Sequence, residues 1–409
     1  MVKKIVALYR QAYSGLPREA WFLAFIELVN RSGTMVLFFL TIYLTRRLNF
    51  TLPRAGQMMS LYGFGSLIGA YLGGHFCDRL GASNIQRLSL FLSGVLLIWL
   101  RFLTSFAALA VIICLYGVAN SALYPANATA MAASCPPGPL RTKGVALNRL
   151  ASNLGVTIGP VVGGFLAQRS YHLIFWVDGL TSLAAAFLFW FFSRRLRFST
   201  PRPRHAAAPT TPLRRDHFFL AILGLIFLMG IVFVQIFSTF PLYVRNVYGL
   251  VESRIGQLLA VNTLMIVLLE MPLMEKLKNR LRQRVIALGA ILLGGGFALM
   301  PLSSGFGYAV LTVMVWSSGE ILSMPMLGGL VADHASERNR GRYLGLFGLS
   351  FALASMIGPV CGMWVYEHLG PAALWLGCGA VAGAAALGFM RLAKNKAAKK
   401  FGTDPMPGV

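Results

Sequence analysis

Glu27, Arg31, Arg149, Asp178, Glu270 and Glu320 are ionisable residues set inside long apolar runs of this chain. A charge at the centre of a bilayer costs roughly 2.5–3.5 kcal/mol on insertion scales, so such residues are functional candidates by default. Glu27 and Arg31 are four apart, which puts them on one helical face and lets them pair. A buried carboxylate tends to take up a proton, and a neighbouring Arg, always charged, opposes this. Glu27 can therefore exchange Arg31 for a proton when a solute competes for the Arg, the simplest chemistry for coupling protons to solute movement. A static ion pair that fixes helix register is the alternative. Glu320 lies mid-run beside Gly319 and Ser317-Ser318. Glu270 precedes Pro272 near the end of its run, and Asp178 lies a couple of turns into its own; for these two a structural role stands level with a functional one. Arg149 sits early in its run, where it can snorkel to the surface.

The elements that position these residues follow from composition. Of 409 residues 56% are hydrophobic and 12% charged, about half the charge of an ordinary soluble chain, so the chain is expected to be an integral membrane protein. Apolar runs of about 20 residues, enough to cross the hydrocarbon core as helix, fall near 20–44, 55–76, 88–104, 106–131, 144–168, 171–193, 217–244, 255–274, 285–302, 306–332, 343–366 and 371–392. Twelve spans in an all-α fold are expected; barrel strands would alternate apolar and polar residues instead. The net charge of +24 sits in short clusters between the runs, which suits an anionic leaflet and not nucleic acid. The five cysteines form no CxxC pair and the six histidines no HExxH, so neither a metal nor a cofactor is expected. No nucleophile–base pair and no Walker A sequence is present, which argues against an enzyme and against an ATP-driven pump.

With a cytoplasmic N-terminus, 28 of the 37 Lys and Arg residues fall on the cytoplasmic side and seven (Arg46, Arg47, Arg54, Arg101, Arg169, Arg245 and Arg254) on the other. The positive-inside rule then places both termini in the cytoplasm. The longest polar break divides the chain into a six-helix bundle at 1–193, a cytoplasmic linker at 194–216, a second bundle at 217–393 and a tail at 394–409. The halves repeat: Arg141 to Arg149 followed by Ile158-Gly159-Pro160-Val-Val-Gly163 matches Arg340 to Gly348 followed by Ile357-Gly358-Pro359-Val-Cys-Gly362 at an offset of 199. Parallel repeats of this kind imply a substrate held between the halves and a rocking motion.

On this organisation the chain resembles the major facilitator superfamily over essentially its whole length. Gly73-Gly74-His75-Phe76-Cys77-Asp78-Arg79-Leu80-Gly81 is similar to that family's loop motif G-x-x-x-D-R-x-G, with Ala82-Ser83 where a basic pair usually follows. The resemblance implies a conformational latch at Gly74, Asp78, Arg79 and Gly81, with Asp78 facing a helix N-terminus and arginines such as Arg141 or Arg340. Glu27-Leu-Val-Asn30-Arg31 resembles the E-x-x-E-R signature of proton-dependent oligopeptide transporters, and Gly319-Glu320-Ile-Leu-Ser323-Met-Pro325 their G-E-L-x-x-S-P segment, with Gln235 matching a third element. That implies proton-coupling roles for Glu27 and Glu320 and substrate contacts from Arg31, Asn30 and Gln235. Asn30 replaces a Glu, the fourth span lacks a Lys, and Val234 stands where a Glu is expected, so a peptide substrate does not follow. Gly155-Val-Thr-Ile-Gly159-Pro160-Val-Val-Gly163-Gly164 resembles the G-x-x-x-G-P-x-x-G-G signature of proton-driven drug exporters. It makes Gly155, Gly159, Pro160 and Gly163, with Gly358 and Pro359 in the other half, hinge or packing positions. Tyr124 and Trp316, near polar positions of central helices, are the aromatic residues expected to line a cavity.

These readings converge on a monomeric inner-membrane carrier of a small molecule, driven by protons and working by alternating access. Export of amphipathic compounds is placed ahead of uptake of a peptide-like or zwitterionic solute; a membrane-embedded enzyme or lipid scramblase is the distant alternative.

Overall fold

The computed structural model describes residues 14–136, 138–193, 216–277, 279–335 and 340–401. The expected linker, apart from Asp216, and the basic residues Lys3, Lys4 and Arg10 lie outside them. Every regular element among the described residues is helical: α1 (Arg18–Ser32), α2 (Val36–Arg46), α3 (Leu52–Leu80), α4 (Ala82–Leu100), α5 (Phe106–Ser134), α6 (Pro139–Arg169), α7 (Tyr171–Ser193), α8 (His217–Ser238), α9 (Phe240–Asn246), α10 (Glu252–Leu277), α11 (Arg282–Leu299) continued by a 3-10 turn (Met300–Leu302), α12 (Phe306–His334), α13 (Arg340–His368) and α14 (Pro371–Phe401). Their starts follow local chemistry. Proline opens α3, α6 and α9, where its missing N–H costs nothing. Ser105 Oγ accepts the Ala108 N–H at 3.3 Å to cap α5, satisfying a donor that has no partner within the helix.

Eleven candidate spans are long and apolar enough to cross a membrane. The expected second span lies in α3, which has the length, 29 residues, but not the apolarity; it carries Arg54, Gln57, His75, Asp78 and Arg79 and six glycines. Two expected spans are also not single rods. The run 20–44 is α1 and α2 broken at Gly33-Thr34-Met35, and 217–244 is α8 and α9 broken at Thr239.

The chain forms two compact units, Met1–His205 with Phe237–Val267, and Ala206–Ile236 with Leu268–Val409. In the first, α1, α3, α4, α5 and α7 share a core of Leu23, Ile26, Ile85, Leu90, Leu123, Met131 and Phe189. Glycines let backbones touch. Gly65 faces the Cys114 carbonyl, Gly69 that of Val118, and a Cβ at Gly73 would stand 2.7 Å from Ala122 Cα. This stripe at i, i+4 and i+8 on α3 seats it directly on α5. On α6, Gly155, Gly159 and Gly163 do the same against α1 and α2: a Cβ at each would lie 2.5 Å from Arg31 Cβ, Thr34 O and Met35 Cβ respectively. In the second unit α11 packs on α12 and α14. A Cβ at Gly296 would lie 2.7 Å from Trp316 Cβ, and the Phe297 ring sits 5.8 Å from Trp316 and 5.1 Å from Trp375.

The internal repeat extends beyond the stretch noted above. Arg54-Ala-Gly56-Gln57 recurs as Arg254-Ile-Gly256-Gln257, an offset of 200. The turns before them match: Asn49 at φ 53 and Gly249 at φ 67 are both left-handed. Phe50 N–H reaches Leu44 O at 3.0 Å and Leu250 N–H reaches Val244 O at 3.1 Å. Asn and Gly are the residues that tolerate this conformation.

Candidate functional site: a buried polar network in the first unit

Glu27 is 6% exposed and both its oxygens are engaged. Arg31 Nε donates to Oε1 at 2.8 Å and Asn127 Nδ2 to Oε2 at 2.9 Å. The i, i+4 spacing on α1 supplies the first bond; α5 supplies the second. Asn127 also contacts Asn148 Oδ1 of α6 at 3.3 Å. Asn30, buried on the same helix, accepts from Ser182 Oγ of α7 at 3.2 Å. Asn120 Nδ2 donates to Tyr62 OH at 2.9 Å, and the Tyr62 and Tyr116 rings lie 5.6 Å apart, tilted by 36°. Asp178, Tyr62 and Tyr116 all lie within electrostatic range of Arg31.

Asp178 completes the arrangement. Its Oδ2 accepts the N–H groups of Met35 at 3.2 Å and Val36 at 3.0 Å. The first N–H groups of a helix have no acceptor within it, so this carboxylate of α7 caps α2 and holds the break in the first span. Its role in the structure is thus plain. Glu270 is buried on α10 and Arg149 is exposed on α6.

The remaining expected residues are distributed as follows. Gly155 abuts Arg31 and Gly159 abuts Thr34, while the Pro160 carbonyl lies against Gly256. Gly163 and Gly164 face α2 and the first turn of α10 respectively. The exporter-like segment is therefore a packing surface that touches the polar network through Arg31. At the expected latch, Gly81 at φ 83 makes the reversal between α3 and α4, Gly73 and not Gly74 makes the close helix contact, and Asp78 and Arg79 are exposed. Arg141 turns to the carbonyls of Ala132 at 3.0 Å and Cys135 at 3.4 Å; the Arg340 side chain lies outside those described. Tyr124 is 74% exposed. In the second unit Glu320 is half-buried on α12 and Trp316 is fully buried. Gln235 Nε2 donates to Ile231 O at 3.1 Å and Gly358 O at 2.9 Å, tying α8 to α13. Among the described residues no group of three His, Cys, Asp or Glu side chains is placed to hold a metal.

Sequence reading did not single out Asn127, Asn148, Ser182 or Asn120, and counted Tyr62 only among aromatic residues able to line a cavity. Asn127 had a signal, an amide inside an apolar run, but its partner lies 100 residues away.

Comparison with known proteins fits this architecture. The profile of the Major Facilitator Superfamily matches residues 20–338 and 314–406. The chain belongs to that superfamily. Curated relatives include the MFS-type transporter YhjO of Bacillus subtilis (24% identical, covering 84% of this chain and 85% of that one). They also include the multidrug resistance protein MdtH of Proteus mirabilis (26%, covering 72% and 73%) and a Na(+), Li(+), K(+)/H(+) antiporter of Planococcus maritimus (23%, covering 81% and 85%). Among solved structures, a peptide transporter POT in complex with sulfate superposes with a TM-score of 0.82 at 19% identity, covering 94% of this chain and 96% of that one. This member of the superfamily is thus a multi-pass membrane transporter.

Proposed function

We propose that this superfamily member exports small amphipathic compounds across the inner membrane in exchange for protons. The observation that carries the reading is Glu27, a carboxylate 6% exposed and held through both oxygens. A cationic solute and a proton compete for that one carboxylate, and whichever wins releases the other. Arg31, which cannot give up its charge, stays paired with Glu27 until the competitor arrives. The likeness to a multidrug resistance protein and to a cation/proton antiporter supports this direction.

In this reading α3 is the twelfth span, both termini are cytoplasmic, and the bundles 1–193 and 217–393 rock about the linker 194–216. The tail 394–409 stays in the cytoplasm and the working unit is a monomer. Glu320 is a second proton-coupling residue, Asn30, Gln235, Tyr124 and Trp316 contribute to the solute path, and Gly74, Asp78, Arg79 and Gly81 form the latch.

A second reading rests on Arg31. Its bond to Glu27 uses Nε, and its terminal nitrogens have the fork geometry that takes a carboxylate. A zwitterionic solute drawing Arg31 away would load a proton onto Glu27, giving uptake with the proton. Flux in proteoliposomes with an imposed pH gradient separates the two, with a lipophilic cation dye in one arm and a dipeptide in the other. Dye movement against the proton flow, lost in Glu27→Gln, is expected. Dipeptide uptake with the proton supports the second reading, and dye flux that persists without a gradient refutes proton coupling.

A further inference from the structure

A third carboxylate is buried in the first unit, where α9 and α10 meet α6 and α7. Glu252, the first residue of α10, is 6% exposed. Its Oε1 accepts the Tyr171 hydroxyl at 2.6 Å, and Arg245 Nε stands 3.1 Å from the same oxygen. Arg245 and Glu252 belong to one short stretch, so their ion pair travels with α9 and α10. Tyr171 alone of these groups belongs to α7. The Tyr171 ring is itself fixed, 6.0 Å from the Tyr43 ring and with the Arg47 guanidinium 5.9 Å from its centroid. Below Glu252 the backbones touch: a Cβ at Gly164 of α6 would lie 2.5 Å from Glu252 O and 3.0 Å from Ser253 Cα. The titratable and charged groups facing Glu252 are thus Arg245 from α9 and Tyr171 from α7, with Arg47 and Tyr43 of α2 behind the ring. The surface of α6 there is Gly164, and Arg254 on α10 itself is exposed and bonded to Gln257 at 3.0 Å.

We propose that Glu252 is a further proton-binding residue of the carrier, one that ties α10 to α7 while ionised and releases it when protonated. Arg245 and the start of α10, where the helix dipole is positive, both stand against this carboxylate. Hydronium from the adjoining water transfers one proton to a Glu252 oxygen and leaves as water; no other covalent bond changes. The Tyr171 hydroxyl then loses a charged acceptor, the kind that makes roughly twice the bond of a neutral one. Arg245 keeps its charge and a partner, the Leu250 carbonyl at 3.3 Å. What remains between α10 and its neighbours is the weakened Tyr171 bond and glycine-mediated backbone contact with α6, which slides or parts more easily. Protonation thereby shifts the population between two arrangements of this end. The inference rests on the proton-driven reading above, in which this end faces outward.

Spin labels at His172→Cys and Val247→Cys, exposed positions on α7 and beyond α9, report the separation by pulsed dipolar spectroscopy in the full chain with its native cysteines replaced. In the otherwise unchanged protein the short-distance population is expected to fall as the pH drops from 8 to 5. Glu252→Gln, which keeps the shape of the side chain, should show a reduced short-distance population that no longer responds to pH. Tyr171→Phe should lower the closed-to-open ratio about tenfold at pH 8, the loss of one hydrogen bond to a charged group. A Glu252→Gln protein with the pH response of its parent overturns the proposal, as does a parent with no response. Gradient-driven flux in Glu27→Gln is measured beside it: retention of that flux refutes the carrier reading, whereas an unaltered distance response in Glu252→Gln refutes this one alone.

Discussion

Substituting Gly155 with Ala tests whether the glycine face of α6 serves the polar network or only packing. An ideal Cβ there would stand 2.5 Å from Arg31 Cβ, 2.9 Å from Leu28 O and 3.0 Å from the Arg31 carbonyl carbon. Carbon atoms rest at about 3.5–4.0 Å, so α1 and α6 must part by about 1 Å. The obstructing atoms are backbone and Cβ, which no rotamer change moves. Overpacking of this kind costs about 1–3 kcal/mol. The Glu27–Arg31 bond lies within α1 and travels with it. The bond from Asn127 at 2.9 Å crosses to α5, and a 1 Å displacement takes it out of range. Losing a hydrogen bond to a charged acceptor costs about 1.5–3 kcal/mol, at least tenfold in the population of the intact network. The expected result is therefore at least a tenfold fall in gradient-driven flux from Gly155→Ala proteoliposomes, with the protein still folded by thermal melting. Gly295→Ala, where a Cβ meets nothing within 4 Å, is the reference. If Gly155→Ala transports within twofold of that reference, the network does not depend on the seating of α1 on α6 and the reasoning fails.

Two further outcomes are expected. Glu27→Ala leaves the Arg31 guanidinium without its carboxylate; breaking a buried pair costs about 3–5 kcal/mol, and the 23% exposure of Arg31 puts the effect at or below the lower end. Thermal melts in detergent should show Glu27→Ala less stable than the Glu27→Ala/Arg31→Ala double variant. Asp216, just before α8, is pushed up by burial but held below the usual carboxylate range by the Phe219 N–H, His334 and the Tyr343 hydroxyl. A carboxyl lowered by folding stabilises the fold above its unfolded value and loses that contribution as the pH falls through the lowered one. Melting temperature should therefore drop below about pH 4, the unperturbed carboxylate range, and Asp216→Asn should be less stable at neutral pH and lack that part of the drop.

What the sequence makes legible is what one helix decides for itself. The i, i+4 spacing of Glu27 and Arg31 predicts their bond, and the structure has it at 2.8 Å. Hydropathy predicts where helices run, and eleven candidate spans meet the length and apolarity required. Partners brought from elsewhere in the chain are not legible: Asn127 reaches Glu27 across 100 positions and Asp178 reaches Val36 across 142. The break at Gly33-Thr34-Met35 is hidden because an apolar run reads the same whether its helix is whole or interrupted, and the Asp178 carboxylate that caps the interruption comes from far along the chain. The Gly65, Gly69 and Gly73 stripe was legible in principle, being small residues at helical spacing. So was the recurrence of Arg54-x-Gly56-Gln57 at Arg254; both needed a pattern of small residues to be weighed as heavily as charges.

The capped interruption in the first span gives the molecule an elbow. Each rod meeting at that elbow keeps its own ladder of backbone hydrogen bonds, so the one that bears Glu27 ends before the other begins. A carboxylate borrowed from a neighbouring rod grips the joint by the amides of Met35 and Val36, so the angle of the elbow is tied to the seat of that neighbour.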